Sequence, residues 1–190
     1  MNILFFSYLS RDKGIFVAIK AMQIILEQSN ATVTFAGPPE DEDIEFTLKG
    51  LELYYPKRFK VLGYVESPVE KKKIFRNADI FIFPTLRESF GLVLLEAMKE
   101  GLPIVASREG CIPEILPNGL LFTKGDVNEM AFQVMFLINN KVMRDKLGEL
   151  NRKRYEENYT IEKYGARMIE VFNYLEQDYG NANLDCDVSY

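Results

Sequence analysis

Residues 80–98 read IFIFPTLRESFGLVLLEAM, which is an apolar run, a polar loop and a second apolar run. The first run, Ile80–Phe83, carries apolar side chains on both faces, as is typical of a strand at the centre of a parallel sheet. A polar loop follows from Pro84, and the second run predicts a helix from about Gly91 to Glu100. A buried strand that leads through a short loop into a helix is the repeating unit of an α/β fold.

The same alternation extends along most of the chain in both directions. Further strands are predicted at 3–7, 32–36, 59–62, 103–106 and 120–122, and further helices at 14–28, 44–54 and 67–77, with two or three more from 126 to about 177. This order predicts an α/β fold with a doubly wound, Rossmann-like parallel sheet of about six strands. Residues 1–178 are predicted to form this single domain, and residues 179–190 a flexible tail.

The composition excludes several classes of protein. A net charge of -5 argues against a nucleic-acid partner, because neutralising phosphates requires a basic face. No stretch approaches the roughly 18 uninterrupted apolar residues of a transmembrane helix. The two cysteines, Cys111 and Cys186, are far apart and form neither a disulfide framework nor a zinc motif, so a cytoplasmic location is predicted.

Three charged clusters have more than one interpretation. Lys71-Lys72-Lys73 is interpreted first as a solvated helix face, and contact with an anionic membrane surface is the alternative. Asp41-Glu42-Asp43 and Asp185-Cys186-Asp187 superficially resemble metal-binding pairs. They are assigned instead to a surface loop and to the tail, so no metal site is predicted.

The polar loop at residues 84–91 is the predicted functional site. Ligands of doubly wound sheets bind outside the carboxyl ends of the strands, where the connecting loops diverge. The start of the next helix exposes unpaired N–H groups and a partial positive charge, which suit a diphosphate, and Gly91 lets such an anion approach the backbone. Two acids flank this position, Glu88 just before the helix and Glu96 about a turn and a half inside it.

Both acids admit a functional and a structural interpretation. In the first, Glu88 faces a sugar and Glu96 accepts hydrogen bonds from two neighbouring hydroxyls of a ribose. In the second, Glu88 complements the helix dipole and Glu96 is a buried acid tied to the backbone. Glu96 interrupts the apolar run from Leu92 to Met98, so it needs a polar partner or a ligand, because burying it unpaired is costly.

The loop and its surroundings resemble a family of retaining GT-B glycosyltransferases, the glycosyl transferases group 1. This family includes sucrose synthases, glycogen synthases and phosphatidylinositol mannosyltransferases. The likeness covers about residues 2–175. The matching motifs are Lys13-Gly14, Gly63-Tyr64-Val65, Ala78-Asp79, Phe83-Pro84, the paired Glu88 and Glu96, and residues 101–106, 111–114 and 118–121.

The resemblance implies a role for each matching residue. Glu88 would be the catalytic residue beside the transferred sugar, and Glu96 would hold the ribose. Lys13 would balance the leaving diphosphate, unless it is a solvated loop lysine. The remaining substrate-binding residues would be Ser89, Phe90, Gly91 and Leu92, whose backbone N–H groups receive sugar hydroxyls and phosphates, and Tyr64 and Val65, which border the base. Core packing is the alternative for Tyr64.

The chain departs from the family pattern in two places. The family usually has Gly-Arg where this chain has Ser7-Tyr8, so one of two cations at the diphosphate is missing, and Arg11 in the same loop is the candidate replacement. Cys111 stands where a second glycine is common. Both departures bear on catalysis more than on the fold.

The implied function is transfer of a hexose from a nucleoside-diphosphate sugar to an acceptor, with retention of configuration and without a metal or other cofactor. The matching residues all belong to the donor-binding half of a GT-B fold, and the chain has no histidine to match the catalytic-site histidine of the acceptor half. An acceptor-binding domain or subunit is therefore the expected partner. The final helix, about 161–177, resembles the one that crosses to that domain, and its apolar stripe is expected to be exposed.

Three other functions are weighed against this one. A phosphorelay receiver is disfavoured, because Gly63 stands where the third strand should present an acceptor aspartate. The main alternative is a non-catalytic nucleotide-sugar-binding or assembly subunit. A nicotinamide-dependent oxidoreductase is disfavoured, because no Gly-x-Gly-x-x-Gly follows the first strand.

Overall fold

A computed structural model of the protein describes residues 1–182. It contains one six-stranded parallel sheet. The strands are β1 (Asn2–Phe6), β2 (Thr32–Ala36), β3 (Phe59–Val61), β4 (Ile80–Phe83), β5 (Ile104–Ser107) and β6 (Leu120–Phe122). Their order is β3-β2-β1-β4-β5-β6, and every neighbouring pair is parallel. The predicted doubly wound sheet is confirmed. Its strand order reverses between β1 and β4, and the loops that follow these two strands therefore diverge and open a crevice.

Residues 1–182 contain eight helices, most of which pack on the two faces of the sheet. They are α1 (Ile15–Gln28), α2 (Glu42–Tyr54), α3 (Pro68–Arg76), α4 (Leu92–Lys99), α5 (Ile112–Ile115), α6 (Val127–Asn139), α7 (Lys141–Asn158) and α8 (Ile161–Ala182). The side chain of Ser67 accepts a hydrogen bond from the amide of Glu70, which fixes the predicted start of α3. The short helix α5 was not predicted.

The core consists of two apolar layers separated by the sheet. On one face, Ile80 and Ile82 of β4 pack with side chains of α1, α2 and α6. On the other face, Phe81 and Phe83 pack with side chains of α3, α4 and α5. All four residues of β4 are buried, as expected for a central strand whose side chains alternate between two covered faces.

Helix α7 is anchored to the sheet by a buried polar contact. The side-chain amide of Asn151 donates a hydrogen bond of 2.7 Å to the carbonyl of Leu102, just before β5. Both residues are buried, so this carbonyl has no ready access to water if its donor is removed.

We expect Asn151→Ala to lower the free energy of unfolding by about 1–3 kcal/mol, because the Leu102 carbonyl would be left without a partner. Urea denaturation monitored by circular dichroism measures this change. Lys153→Ala, at an exposed position of the same helix, should change stability by less than about 0.5 kcal/mol. Equal effects of the two substitutions would contradict the anchoring role.

The last helix, α8, exposes an apolar stripe. Tyr164, Val171, Phe172 and Leu175 are exposed, whereas Met168 of the same stripe is half-buried, so the expected exposed apolar surface is confirmed for four of its five residues. The helix continues beyond the predicted end at Gln177 to Ala182. The remainder of the predicted tail, with Asp185-Cys186-Asp187, lies outside the described residues. Of the helices in residues 1–182, none combines the length and the apolar composition needed to cross a bilayer.

Candidate functional site

The loops after β1, β2, β3 and β4 converge on a cleft of about 650 Å³ at the carboxyl ends of the strands. Its position follows from the reversal of strand order between β1 and β4. The nine predicted site residues all line this cleft: Lys13, Tyr64, Val65, Glu88, Ser89, Phe90, Gly91, Leu92 and Glu96. Predicted site residues from three separate loops and helix α4 are thus brought to a single site.

The start of α4 forms one wall of the cleft. Gly91 precedes the helix with φ 78° and ψ 57°, in the left-handed region where a side chain would be strained. The first helical amides, those of Leu92 and Val93, donate to no protein acceptor in residues 1–182. The cleft therefore contains free backbone donors and the positive end of a helix dipole, which together favour an anion.

Glu88 lies just before this helix, and its carboxylate is bound to the amides of the residues that lead into the helix. Its Oε2 is 2.8 Å from Nζ of Lys13, and its Oε1 accepts hydrogen bonds from the amides of Ser89, Phe90 and Gly91 at 3.1, 3.4 and 3.1 Å. The side chain is only 10% exposed. The amides of Ser89, Phe90 and Gly91, which the sequence predicts to bind the ligand, are thus occupied by the carboxylate of Glu88. Lys13 is not a solvated lysine, because it is directed into the cleft.

Glu96 faces the cleft from inside α4 and pairs with a lysine of α3. Nζ of Lys71 lies 2.6 Å from Oε1, to which it donates a hydrogen bond, and 2.6 Å from Oε2. Although Oε2 is buried and lies beside this charge, it receives no hydrogen bond from any described residue. Glu96 is only partly buried, with 41% of its side chain exposed, and it has a polar partner together with unused acceptor capacity.

The prediction that Lys71 lies on a solvated face is wrong. Its side chain is 32% exposed and reaches into the cleft, whereas Lys72 and Lys73 are exposed. One turn after Lys71, Phe75 is buried in the core, so the two residues share the inward face of α3. This spacing of four residues was the signal in the sequence that could have identified Lys71 as part of the site.

The prediction that Arg11 could replace the missing cation is also wrong. Arg11 pairs with Glu40 at 3.5 Å and with Asp41, and it does not line the cleft. The cause is a parallel bridge between Leu9 and Pro39, which holds the loops after β1 and β2 side by side. The hydrogen bond from Arg11 also lowers the pKa of Asp41, whose side chain caps α2.

Tyr64 lines the cleft, and Cys111 contacts the loop that leads into α4. Tyr64 is 72% exposed, so the core-packing alternative for it is wrong. Sγ of Cys111 lies 3.1 Å from the carbonyl oxygen of Ser89 and 3.4 Å from that of Phe90. Partial burial raises the pKa of the Cys111 thiol, which favours the neutral S–H as the donor in these contacts.

The charges of the cleft balance in the absence of a ligand. Its charged side chains are Lys13, Lys71, Glu88 and Glu96, and they form two ion pairs. In the part of the chain that the structure describes, no three metal-ligating side chains come together. The cleft thus offers an anion two ammonium groups and free helical amides, provided that the acids can exchange partners.

Comparison with known proteins gives concordant results. A profile of the family described as Glycosyl transferases group 1 matches residues 2–154. An uncharacterized glycosyltransferase of Methanocaldococcus jannaschii is 31% identical over 175 residues, which are 90% of this chain and 44% of that protein. The chain therefore spans less than half the length of this relative.

Solved structures share the fold. HepE of Anabaena in complex with UDP has a TM-score of 0.79 at 23% identity, over 90% of this chain and 48% of that one. The C-terminal domain of LpcC, a glycosyl transferase group 1 family protein of Francisella tularensis, has a TM-score of 0.74 at 25% identity. That match covers 84% of this chain and 86% of the solved domain.

Proposed function

Since the chain belongs to the glycosyl transferases group 1 family, we propose that it is the donor-binding domain of a retaining hexosyltransferase and that its cleft holds a nucleoside-diphosphate sugar. The observation that carries this proposal is the arrangement at the start of α4. One acid lies in front of the free helical amides and a second lies inside the helix, and both line the same cleft.

The diphosphate is proposed to lie at the amides of Leu92 and Val93. The partial positive charge of the helix end stabilises an anion there, and it acts most strongly on the charge that develops as the diphosphate departs. Lys13 supplies a full positive charge at the same wall. The proposal assigns the neutralisation of the leaving group to these two features and includes no metal ion or other cofactor.

Glu88 is proposed to exchange partners when the donor binds. In the free cleft it is held by Lys13 and by three amides. A diphosphate that takes over Lys13 frees the carboxylate to bind hydroxyls of the sugar beside it. The positive charge that develops on the sugar ring during bond cleavage then lies next to a negative group, which lowers the barrier to transfer.

Glu96 is proposed to accept hydrogen bonds from the ribose hydroxyls. Its unused acceptor capacity and its position inside the cleft support this role. Tyr64 and Val65 would border the base at the rim.

The proposal is tested by calorimetric titration of the chain with UDP, GDP and ADP, beginning with UDP because HepE, which shares the fold, was solved with it. We expect Glu96→Ala to weaken the tightest of these interactions by about 1–3 kcal/mol, since hydrogen bonds to a charged acceptor are lost. Glu45→Ala makes the same charge change at an exposed residue of α2 and should leave the affinity unchanged. An unaltered affinity in a folded Glu96→Ala variant would refute the ribose contact.

The acceptor is proposed to bind to another domain or subunit. The chain covers 44% of the length of its M. jannaschii relative, and the exposed stripe of α8 would be covered by such a partner. A cytoplasmic location remains a proposal from the cysteine content. Contact with a membrane would now rest on Lys72 and Lys73 alone.

A non-catalytic nucleotide-sugar-binding subunit is the second candidate. It is favoured by the position of Arg11, which pairs outside the cleft. The cations that line the cleft are then Lys13 and Lys71, and each is already paired with a glutamate. Labelled UDP- and GDP-sugars, supplied with and without a candidate acceptor partner, distinguish the two functions. Release or transfer of sugar supports the enzyme, whereas binding without either supports the second candidate.

A further inference from the structure

Lys71 has two contacts that fix its ammonium group in the cleft. Nζ lies 2.6 Å from each carboxylate oxygen of Glu96 and 5.0 Å from the centroid of the Phe6 ring. Phe6 is the last residue of β1, so its ring is held at the carboxyl end of a central strand rather than in a loop. A cation over an aromatic face is attracted to it, and this contact restricts a side chain that is otherwise among the most flexible.

We propose that Lys71 is a positioning residue that orients Glu96 and thereby gives the cleft its preference for a ribose over a deoxyribose. The inference rests on the proposed function, because it concerns how the same cleft recognises a nucleotide.

The geometry of the pair explains why the lysine is needed. Glu96 is 41% exposed and has three rotatable bonds, so an unpaired carboxylate would turn among several rotamers, including solvated ones. Lys71 holds the carboxylate at both oxygens but donates a hydrogen bond to only one of them. A carboxylate has about four acceptor positions, so the oriented group retains capacity for two further donors. Two neighbouring hydroxyls, as in a ribose, match this arrangement.

Lys71 also neutralises Glu96 before an anion arrives. Without it, the cleft would contain Lys13 with two glutamates, and a diphosphate would meet a net negative charge. This effect acts equally on nucleotides with and without the 2′-hydroxyl. The ratio of their affinities therefore isolates the positioning role from the general effect of charge.

The test compares the affinities for UDP and 2′-deoxy-UDP. If GDP or ADP binds more tightly than UDP, that nucleotide and its 2′-deoxy form are compared instead. Lys71→Met removes the ammonium and keeps most of the stem, Lys71→Arg keeps the charge, and Lys72→Met makes the same charge change at an exposed neighbour. In the native chain and in Lys72→Met, we expect the ribonucleotide to bind at least about tenfold more tightly. In Lys71→Met this ratio should fall to within about threefold, and Lys71→Arg should restore most of it.

A double variant shows whether Lys71 acts through Glu96. In a Glu96→Ala background, Lys71→Met should cause no further change in the ratio. Circular dichroism confirms that each variant is folded, and Lys71→Gln replaces Lys71→Met if the latter is not.

The outcomes separate this inference from the proposed function. If the native chain binds none of the nucleoside diphosphates, the proposed function fails. If it binds a pair without discrimination, the ribose contact of Glu96 fails and the inference with it. If it discriminates and the Lys71→Met ratio stays at the native value, only the role of Lys71 is overturned.

Discussion

Gly14→Ala is expected to lower the free energy of unfolding by about 2–5 kcal/mol, because a left-handed residue costs about 1–2 kcal/mol and overpacking a further 1–3. Gly14 has φ 74°, and a Cβ atom there would lie 1.9 Å from the carbonyl oxygen of Pro84. It would also lie 2.7 Å from the carbonyl carbon of Pro84, and because both of these atoms are backbone atoms, rotating a side chain cannot relieve the clash. A domain of this size has only about 5–15 kcal/mol of stability, so the variant should melt far below the native chain.

The clash lies between two of the loops that form the site, those after β1 and β4. The carbonyl of Asp12 accepts hydrogen bonds from the amides of Leu86 and Arg87 at 2.8 and 3.2 Å. Displacing Gly14 would therefore also shift Lys13 relative to Glu88. Thermal and urea denaturation measure the loss of stability, and nucleotide affinity measures the loss at the site.

Gly50→Ala is the matched control for this substitution. Gly50 lies within α2 at an ordinary helical φ, and an added Cβ would meet no atom within 4 Å. We expect this variant to be more stable by about 0.5–1 kcal/mol, because alanine loses less backbone entropy than glycine in a helix. Similar losses in both variants would contradict the steric account of Gly14.

Glu88→Gln is expected to slow sugar transfer by about 100-fold or more, the loss that follows removal of a single preorganised transition-state contact. Glutamine keeps the shape of the side chain and an oxygen for the amides of Ser89, Phe90 and Gly91, but it removes the negative charge beside the sugar. The affinity for a nucleoside diphosphate should not fall, because the substitution removes a negative charge that would repel the phosphates. Transfer of a labelled sugar, assayed with a candidate acceptor partner, measures the rate, and calorimetry of the same variant measures the affinity.

Glu66→Gln serves as the control for Glu88, since Glu66 is exposed in the loop after β3 and does not line the cleft. It should retain the native rate. A Glu88→Gln variant that transfers sugar as fast as this control would remove Glu88 from the mechanism. A parallel loss of rate and affinity would assign it to binding alone.

The fold could be predicted because its signals are local and repeated. The buried run at Ile80–Phe83 and the alternation on both sides of it place all six strands, with bounds that differ by at most a residue or two. The resemblance to the glycosyl transferases group 1 is confirmed by the match over residues 2–154. Helix α5 was missed because four residues from Ile112 are too few to show a helical period.

The location of the site could be predicted, but the direction of its side chains could not. Loops that follow parallel strands meet at one edge, so the sequence order alone brings Lys13 and Glu88 together. Arg11 and Lys71 were assigned wrongly because their partners, Asp41 and Glu96, lie on other elements. The same limit applies to Glu88, whose carboxylate turns back onto the amides of its own loop. Such choices depend largely on packing between elements. For Lys71, the four-residue spacing to Phe75 indicates the inward face of α3 but not the partner Glu96.

The central claim is that a nucleoside diphosphate binds at the start of α4, and a ¹H–¹⁵N NMR titration of this 21.9 kDa chain tests it most directly. With the nucleoside diphosphate that calorimetry identifies as the tightest, the largest shifts should occur at the amides of Leu92 and Val93. Smaller shifts at Ser89 and Gly91 should follow as Glu88 exchanges partners. Shifts confined instead to the basic surface of Arg76, Arg144 and Arg152, near the amino ends of β4 and β5, would contradict the account.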